Sequence, residues 1–170
     1  MKLIYYYHTL KYLKFSQIYY RIQKRFLHPT VNKICCGKAD FPGNWVSHEL
    51  YEQKLFHDNS VRFLNAEGCI SSVNDWNDPA RTKLWLYNLH YFDDLNAINA
   101  ESRTQLHIEF IDRWISENPA PLGNGWEPYP TSLRIVNWVK AFLSGLPEDQ
   151  CMLDSLAQQT DYLSQDLELH

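Results

Sequence analysis

The stretch Gly123-Asn124-Gly125-Trp126-Glu127-Pro128-Tyr129-Pro130-Thr131-Ser132, running into Leu133-Arg134-Ile135-Val136-Asn137-Trp138, holds the side chains best suited to chemistry. A Trp ring stacks on a sugar face, and a carboxylate accepts hydrogen bonds from hydroxyls. A guanidinium binds a sulfate or carboxylate through two parallel N–H bonds. Trp126, Glu127 and Arg134 therefore suit recognition of an anionic sugar chain. The same spacing also allows a structural reading, in which Glu127 and Arg134 form a buried ion pair stapling loop to helix. A second constellation, Asn88-Leu89-His90-Tyr91-Phe92-Asp93, gathers amide, imidazole and phenol groups. Read structurally, it is a helix start packed by Leu89 and Phe92, with its polar groups bonded locally.

Helices must position both sets. Residues 84–98 read as one helix or two short turns. Ser102 with Gln105 forms a capping-box pattern that opens the next helix, whose apolar face is Leu106, Phe110, Ile111, Trp114 and Ile115 and which Asn118-Pro119 ends. Pro130 suits the first turn of a helix over 131–144. That helix is apolar nearly all round, and its polar stripe of Arg134, Asn137, Lys140 and Ser144 predicts a seam facing a cavity or groove. Gly145 and Pro147 end it. A last helix over 148–169, with Leu153, Leu156, Thr160, Leu163 and Leu167 on one face, reads as its antiparallel partner. Glu168-Leu169-His170 then closes the chain inside that helix, without Gly, cap or stop signal, which reads as truncation.

Upstream, 2–14 and 16–28 read as short helices; Phe15, Tyr19, Ile22 and Phe26 share an apolar face in the second, opposite Arg21, Lys24, Arg25 and His28. Residues 29–60 are turn-rich, with a short helix expected over 47–56. Residues 61–73 suggest a small strand pair, in which Val61, Phe63 and Ile70, Val73 flank a turn at Ala66-Glu67-Gly68.

Composition sets the class. An apolar content of 45% and an aromatic content of 15% predict a folded domain, in which most of the six Trp and eleven Tyr serve the core. The net charge of −4 divides into +8 over residues 1–39 and −12 over the rest. The basic segment suits docking on the acidic body, or binding to an anionic membrane or nucleic acid. Cys35, Cys36, Cys69 and Cys151 form neither a metal knuckle nor a disulfide framework and read as free buried thiols. His48-Glu49 lacks the second histidine of H-E-x-x-H because Glu52 stands there, and Gly123-x-Gly125 is no dinucleotide fingerprint. No apolar run long enough to span a membrane occurs, and no signal peptide is visible.

The strings Leu84-Trp85-Leu86-Tyr87-Asn88-Leu89-His90-Tyr91-Phe92-Asp93 and Gly125–Trp138 resemble the N-terminal domain of the heparinase II/III-like polysaccharide lyases. Tyr7-His8-Thr9-Leu10-Lys11-Tyr12-Leu13-Lys14, Phe63-Leu64-Asn65 and Asp75-Trp76-Asn77 add to the likeness. The resemblance implies a mainly α chain: an incomplete (α/α) toroid over 40–170, containing a small irregular or β segment near 61–75, after a basic helical extension over 1–39. It also implies β-elimination of a uronate-containing anionic polysaccharide, without a cofactor or metal. The family's catalytic Asn, Tyr and His match no position here, so no catalytic residue is assigned. The chain is expected to be inactive alone and to supply one wall of the groove through Asn88, His90, Tyr91, Trp126, Glu127 and Arg134. The last helix hairpin offers an uncovered flank for self-association, and the family suggests the periplasm. A non-catalytic helical module that binds polysaccharide or a protein is the alternative; nucleic acid is not expected as a partner.

Overall fold

The computed structural model describes residues 51–166, the segment 29–37 and positions 12, 14, 15, 19, 22, 43, 45 and 46. The helices expected over 2–14 and 16–28, and most of their basic side chains, lie outside the described residues. Phe15, Tyr19 and Ile22, from the expected apolar stripe, are exposed.

The described chain is mainly helical. A hairpin of β1 (Ser60–Phe63) and β2 (Ala66–Cys69) comes first, followed by a 3-10 turn over Val73–Asn77. Helix α1 spans Lys83–Tyr91, and 3-10 turns follow over Asp93–Asn96 and Ala100–Arg103. Helix α2 spans Thr104–Glu117, α3 Pro128–Leu143 and α4 Gln150–Gln165. Phe92 ends α1 in the left-handed region, at φ 60°. Pro128 begins α3, where its missing N–H costs nothing. After α3 the amides of Gly145 and Leu146 return to the carbonyls of Phe142 and Ala141, a Schellman closure made possible by Gly145 at φ 100°. Asp149 then caps α4 through the Met152 amide at 2.8 Å. Contacts of Arg134 with Gln159 and of Trp126 with Tyr162 show that α3 and α4 run antiparallel.

The core is aromatic. Trp76, Trp114 and Trp138 are fully buried, and Trp85 and Trp126 nearly so. Trp114 sits at the centre, with ring centroids 5.7 Å from Trp126, 5.9 Å from Trp138 and 6.2 Å from Phe92. Trp138 and Phe92 meet it edge to face, whereas Trp126 is tilted by 34°; aromatic pairs of this kind add about 0.5–1.5 kcal/mol each to the burial term.

Several expectations are corrected. The hairpin turn is Leu64-Asn65, not Ala66-Glu67-Gly68. Both turn residues are left-handed, at φ 54° and 60°, as a two-residue hairpin loop requires. Residues 51–55 are extended rather than helical, because the amides of Lys54 and Leu55 both donate to the buried Asp94 carboxylate, at 2.5 and 3.2 Å. His107 and Arg103 bond the other Asp94 oxygen, at 2.8 and 3.2 Å. Ser102 does not cap α2: it lies inside a 3-10 turn, and its hydroxyl donates to the Asn99 carbonyl. On α4 the buried positions are Met152 and Gln159, while Thr160 is exposed, so the inward face is rotated from the expected leucine stripe. The thiols are free but not buried: Cys35, Cys69 and Cys151 are exposed and Cys36 is half-buried.

Helix α3 inverts the usual pattern. Arg134 and Asn137 are buried, whereas Tyr129, Val136 and Val139 are exposed. The Arg134 and Asn137 part of the polar seam thus faces the protein interior, while Lys140 is half-buried and Ser144 is exposed.

Residues 29–37 form an extended strap along α4. The Thr30 amide donates to Gln165 Oε1 (2.8 Å), Asn32 Nδ2 to Asp161 Oδ2 (2.9 Å) and the Cys36 amide to Asp154 Oδ1 (3.1 Å). Gln158 and Gln150 donate back to the carbonyls of Asn32 and Cys36. Gln150, Asp154, Gln158, Asp161 and Gln165 follow one another at helical spacing and form a polar ladder for the strap backbone. From Thr30 to Cys36 an extended chain spans about 20 Å. The fifteen helical steps from Gln150 to Gln165 span about 22 Å.

Leu64 is 54% exposed, so its left-handed backbone is not offset by packing. Leu64→Asn should stabilise the protein by about 0.5–1 kcal/mol, read as a higher urea midpoint at unchanged slope.

Candidate functional site

Lys83, Tyr87 and Tyr91 recur every four residues and form one stripe along α1. The start of α3 brings Glu127 and Tyr129 against that stripe. The Tyr87 hydroxyl donates to Glu127 Oε2, and Lys83 Nζ lies 2.8 Å from the same oxygen. Tyr129 is 57% exposed and packs 5.8 Å from Tyr91, edge to face, and 6.2 Å from Tyr87. Burial pushes the Tyr91 phenol up to about 12, with help from Tyr129 and Asp93. Tyr87 is raised by burial and by Glu127, and the Glu127 and Tyr87 bonds raise Lys83. All three therefore keep their protons at neutral pH. Tyr91, expected at a groove wall, is buried at 7% exposure, and Tyr87 is half-buried; the exposed part of the cluster is the Tyr129 ring with the Lys83 ammonium and the partly exposed Glu127 carboxylate.

The other expected site residues lie elsewhere. Asn88 is half-buried; its amide donates back to the Leu84 carbonyl at 2.8 Å, and it lines a small crevice with Lys54, Leu55 and Asp93. His90, Trp126 and Arg134 sit beneath the tyrosines, all at 4% exposure or less, and in this arrangement present no face to a ligand. The Trp126 indole N–H is bonded to the Asn118 carbonyl at 3.0 Å.

Arg134 does not pair with Glu127, whose carboxylate is held by Lys83 and Tyr87. Its Nε donates to Gln159 Oε1 and its Nη1 to the Gly125 carbonyl, both at 2.8 Å; the His90 carbonyl and Thr131 Oγ1 lie at 3.4 Å. The guanidinium carbon stands 3.9 Å from the Trp114 ring centroid. Among the described residues no carboxylate neutralises it, and burial lowers its proton affinity well below the ordinary guanidinium range.

His90 completes the layer below. Its Nδ1 accepts the Trp114 indole N–H at 3.0 Å, so Nε2 carries the proton and donates to the Trp76 carbonyl at 3.0 Å. Gly125 has no room for a side chain here, because a Cβ would stand 2.7 Å from the imidazole. Burial first, then the Arg134 charge, push His90 down to about 3, so the ring is neutral.

Tyr129 offers a stacking face, Glu127 accepts from hydroxyls and Lys83, 62% exposed, offers a cation to an anionic substituent. The i, i+4 repeat of Lys83, Tyr87 and Tyr91 was the sequence signal for this surface, and Tyr129 stood in the loop string itself. Among the described residues no cluster of His, Cys, Asp and Glu is placed to hold a metal ion, and no helix is long and apolar enough to cross a membrane. No protein-family model, curated protein or solved structure matches the chain.

Two outcomes test the assignment of the lower layer. Arg134→Ala strands the Gly125 carbonyl and the Gln159 side chain and should cost about 3 kcal/mol or more, whereas Glu127→Gln should leave thermal unfolding within a few degrees. His90 binds no proton in the folded state until about pH 3, while the unfolded chain binds one near 6.5. Its contribution is therefore complete above pH 6.5 and falls progressively as the pH drops toward 3. Urea midpoints measured from pH 7 to 4 should decline, and His90→Gln should flatten that decline.

Proposed function

We propose that this chain is part of a heparinase II/III-like polysaccharide lyase toroid and supplies one wall of the groove for a uronate-containing anionic polysaccharide. The observation that carries this reading is the exposed Tyr129 ring, backed by half-buried Tyr87 and buried Tyr91, next to the Lys83–Glu127 pair. The antiparallel α3–α4 hairpin supports it, since toroids are built of such hairpins. So does the exposed apolar flank of α3 at Val136 and Val139, where a neighbouring hairpin would pack. Within the wall, Tyr129 stacks on a sugar ring, Lys83 meets a carboxylate or sulfate and Glu127 accepts hydroxyl protons. His90, Trp126 and Arg134 act as positioning residues that fix the loop carrying Glu127. The eliminating residues are not among those described.

A second reading, a non-catalytic helical module that binds polysaccharide or a protein, is favoured by the strap. It covers one flank of α4 with hydrogen bonds at five helix positions. A monodisperse product that unfolds cooperatively would support the module.

Titration with heparan-sulfate, alginate and acidic capsular oligosaccharides tests the wall. Tyr129→Ala should weaken binding about tenfold with unchanged thermal stability, as expected for loss of one stacking contact. Lys83→Ala should weaken it for charged oligosaccharides but not for neutral ones. Absence of binding to every oligosaccharide would overturn the reading. The chain alone should release no ultraviolet-absorbing unsaturated uronate.

A further inference from the structure

The strap, α4 and the end of α2 enclose an open cavity of about 290 Å³. Trp114, Ile115, Pro119 and Trp126 line one side; the strap contributes Ile34 and Cys35, and α4 contributes Cys151. The strap is held in fixed register at this end. The Cys36 amide donates to Asp154, its carbonyl accepts from Gln150 at 2.7 Å, and its thiol donates to the Leu153 carbonyl at 3.1 Å. These anchors flank position 151 along α4. Alternation along an extended chain turns Cys35 to the side opposite Cys36, and both Cys35 and Cys151 line the cavity. Both thiols are exposed and neither is bonded in a disulfide.

We propose that Cys35 and Cys151 are a thiol modification site, at which a low-molecular-weight disulfide oxidises the pair and fastens the strap to α4. The thiolate of one cysteine attacks the small disulfide, forming a mixed disulfide and releasing one small thiol. The thiolate of the second cysteine attacks the protein sulfur of that mixed disulfide, forming the Cys35–Cys151 bond and releasing the second small thiol. The protein loses two electrons and the small disulfide gains them. The two protein thiol protons end on the two released thiols. A dithiol reductant reverses the exchange. The other two cysteines do not take part: the Cys36 thiol is engaged with the Leu153 carbonyl, and Cys69 stands on the hairpin. The bond ties residues far apart in sequence, so it raises thermal stability by restricting the unfolded chain.

The test incubates the folded chain with oxidised glutathione and maps its peptides without reduction. The strap peptide should be joined to the α4 peptide in wild type and in Cys36→Ser and Cys69→Ser, and separated in Cys35→Ser and Cys151→Ser. The oxidised chain should melt roughly 5–10 °C above the reduced one. Glutathione carried separately on Cys35 and Cys151, with no cross-link, would overturn the proposal. So would a cross-link that survives Cys35→Ser and disappears in Cys36→Ser.

Discussion

A buried cation with no counter-charge among the described residues is the constraint around which this structure is arranged. Removing a guanidinium from water costs several kcal/mol unless its donors find acceptors. Here one acceptor, Thr131 Oγ1, lies on α3 itself, and the others come from three further places in the chain: the Gly125 carbonyl, the His90 carbonyl and Gln159 Oε1. The chemistry of one side chain thus draws the loop before α3, the end of α1 and the middle of α4 to a single point. The Trp114 face supplies the remaining stabilisation without adding a negative charge. Neutral His90 suits this arrangement, because a second cation beside Arg134 would be repelled.

That arrangement explains the division between surface and support. Arg134 holds the Gly125 carbonyl from below, and Thr131 Oγ1 donates to the same carbonyl at 3.0 Å. The 3-10 turn over Asn124–Trp126 is pinned at its middle, and Glu127, the next residue, is delivered to Lys83 and Tyr87. Asn137 performs a similar task one turn further along α3. Its side-chain amide donates to the Tyr91 carbonyl at 2.8 Å and to Asp93 at 2.9 Å. The polar stripe of α3 therefore holds the end of α1, and with it the tyrosines, in place.

Much of the helical layout was legible in the sequence. The apolar repeat of α2, the Pro-bearing start of α3 and the Gly145 stop each describe a local requirement that the structure meets. The direction in which α3 faces was not legible. A polar stripe on an apolar helix reads as a seam facing a cavity or groove, and only the long-range partners Gln159 and the Gly125 carbonyl reveal that its Arg134 end is filled by the protein itself. The hairpin turn was misplaced for a similar reason: Leu64 is a poor left-handed residue, and cross-strand pairing imposes that conformation on it. The strap gave no periodic signal, because most of its bonds use backbone groups that every residue carries, with Asn32 and Cys36 adding one side-chain bond each; the ladder on α4 was visible only as scattered Gln and Asp. Of the expected site residues, Glu127 is partly exposed, whereas Tyr91 is buried beside the exposed Tyr129. Trp126 and Arg134 are buried, and their types alone do not distinguish contact with a ligand from support beneath it.

The strap and the ladder on α4 are measured in different units. One residue of extended chain advances about 3.3 Å, and one turn of helix about 5.4 Å. The two come into step only because successive anchors on the strap are spaced by two and four residues while those on the helix advance by one or two turns. Inserting or deleting a single residue between Thr30 and Cys36 would shift every later anchor by more than a hydrogen bond can stretch. It would also exchange the sides to which the Cys35 and Cys36 side chains turn. The length of this short segment is therefore under tighter constraint than the identity of the residues that compose it.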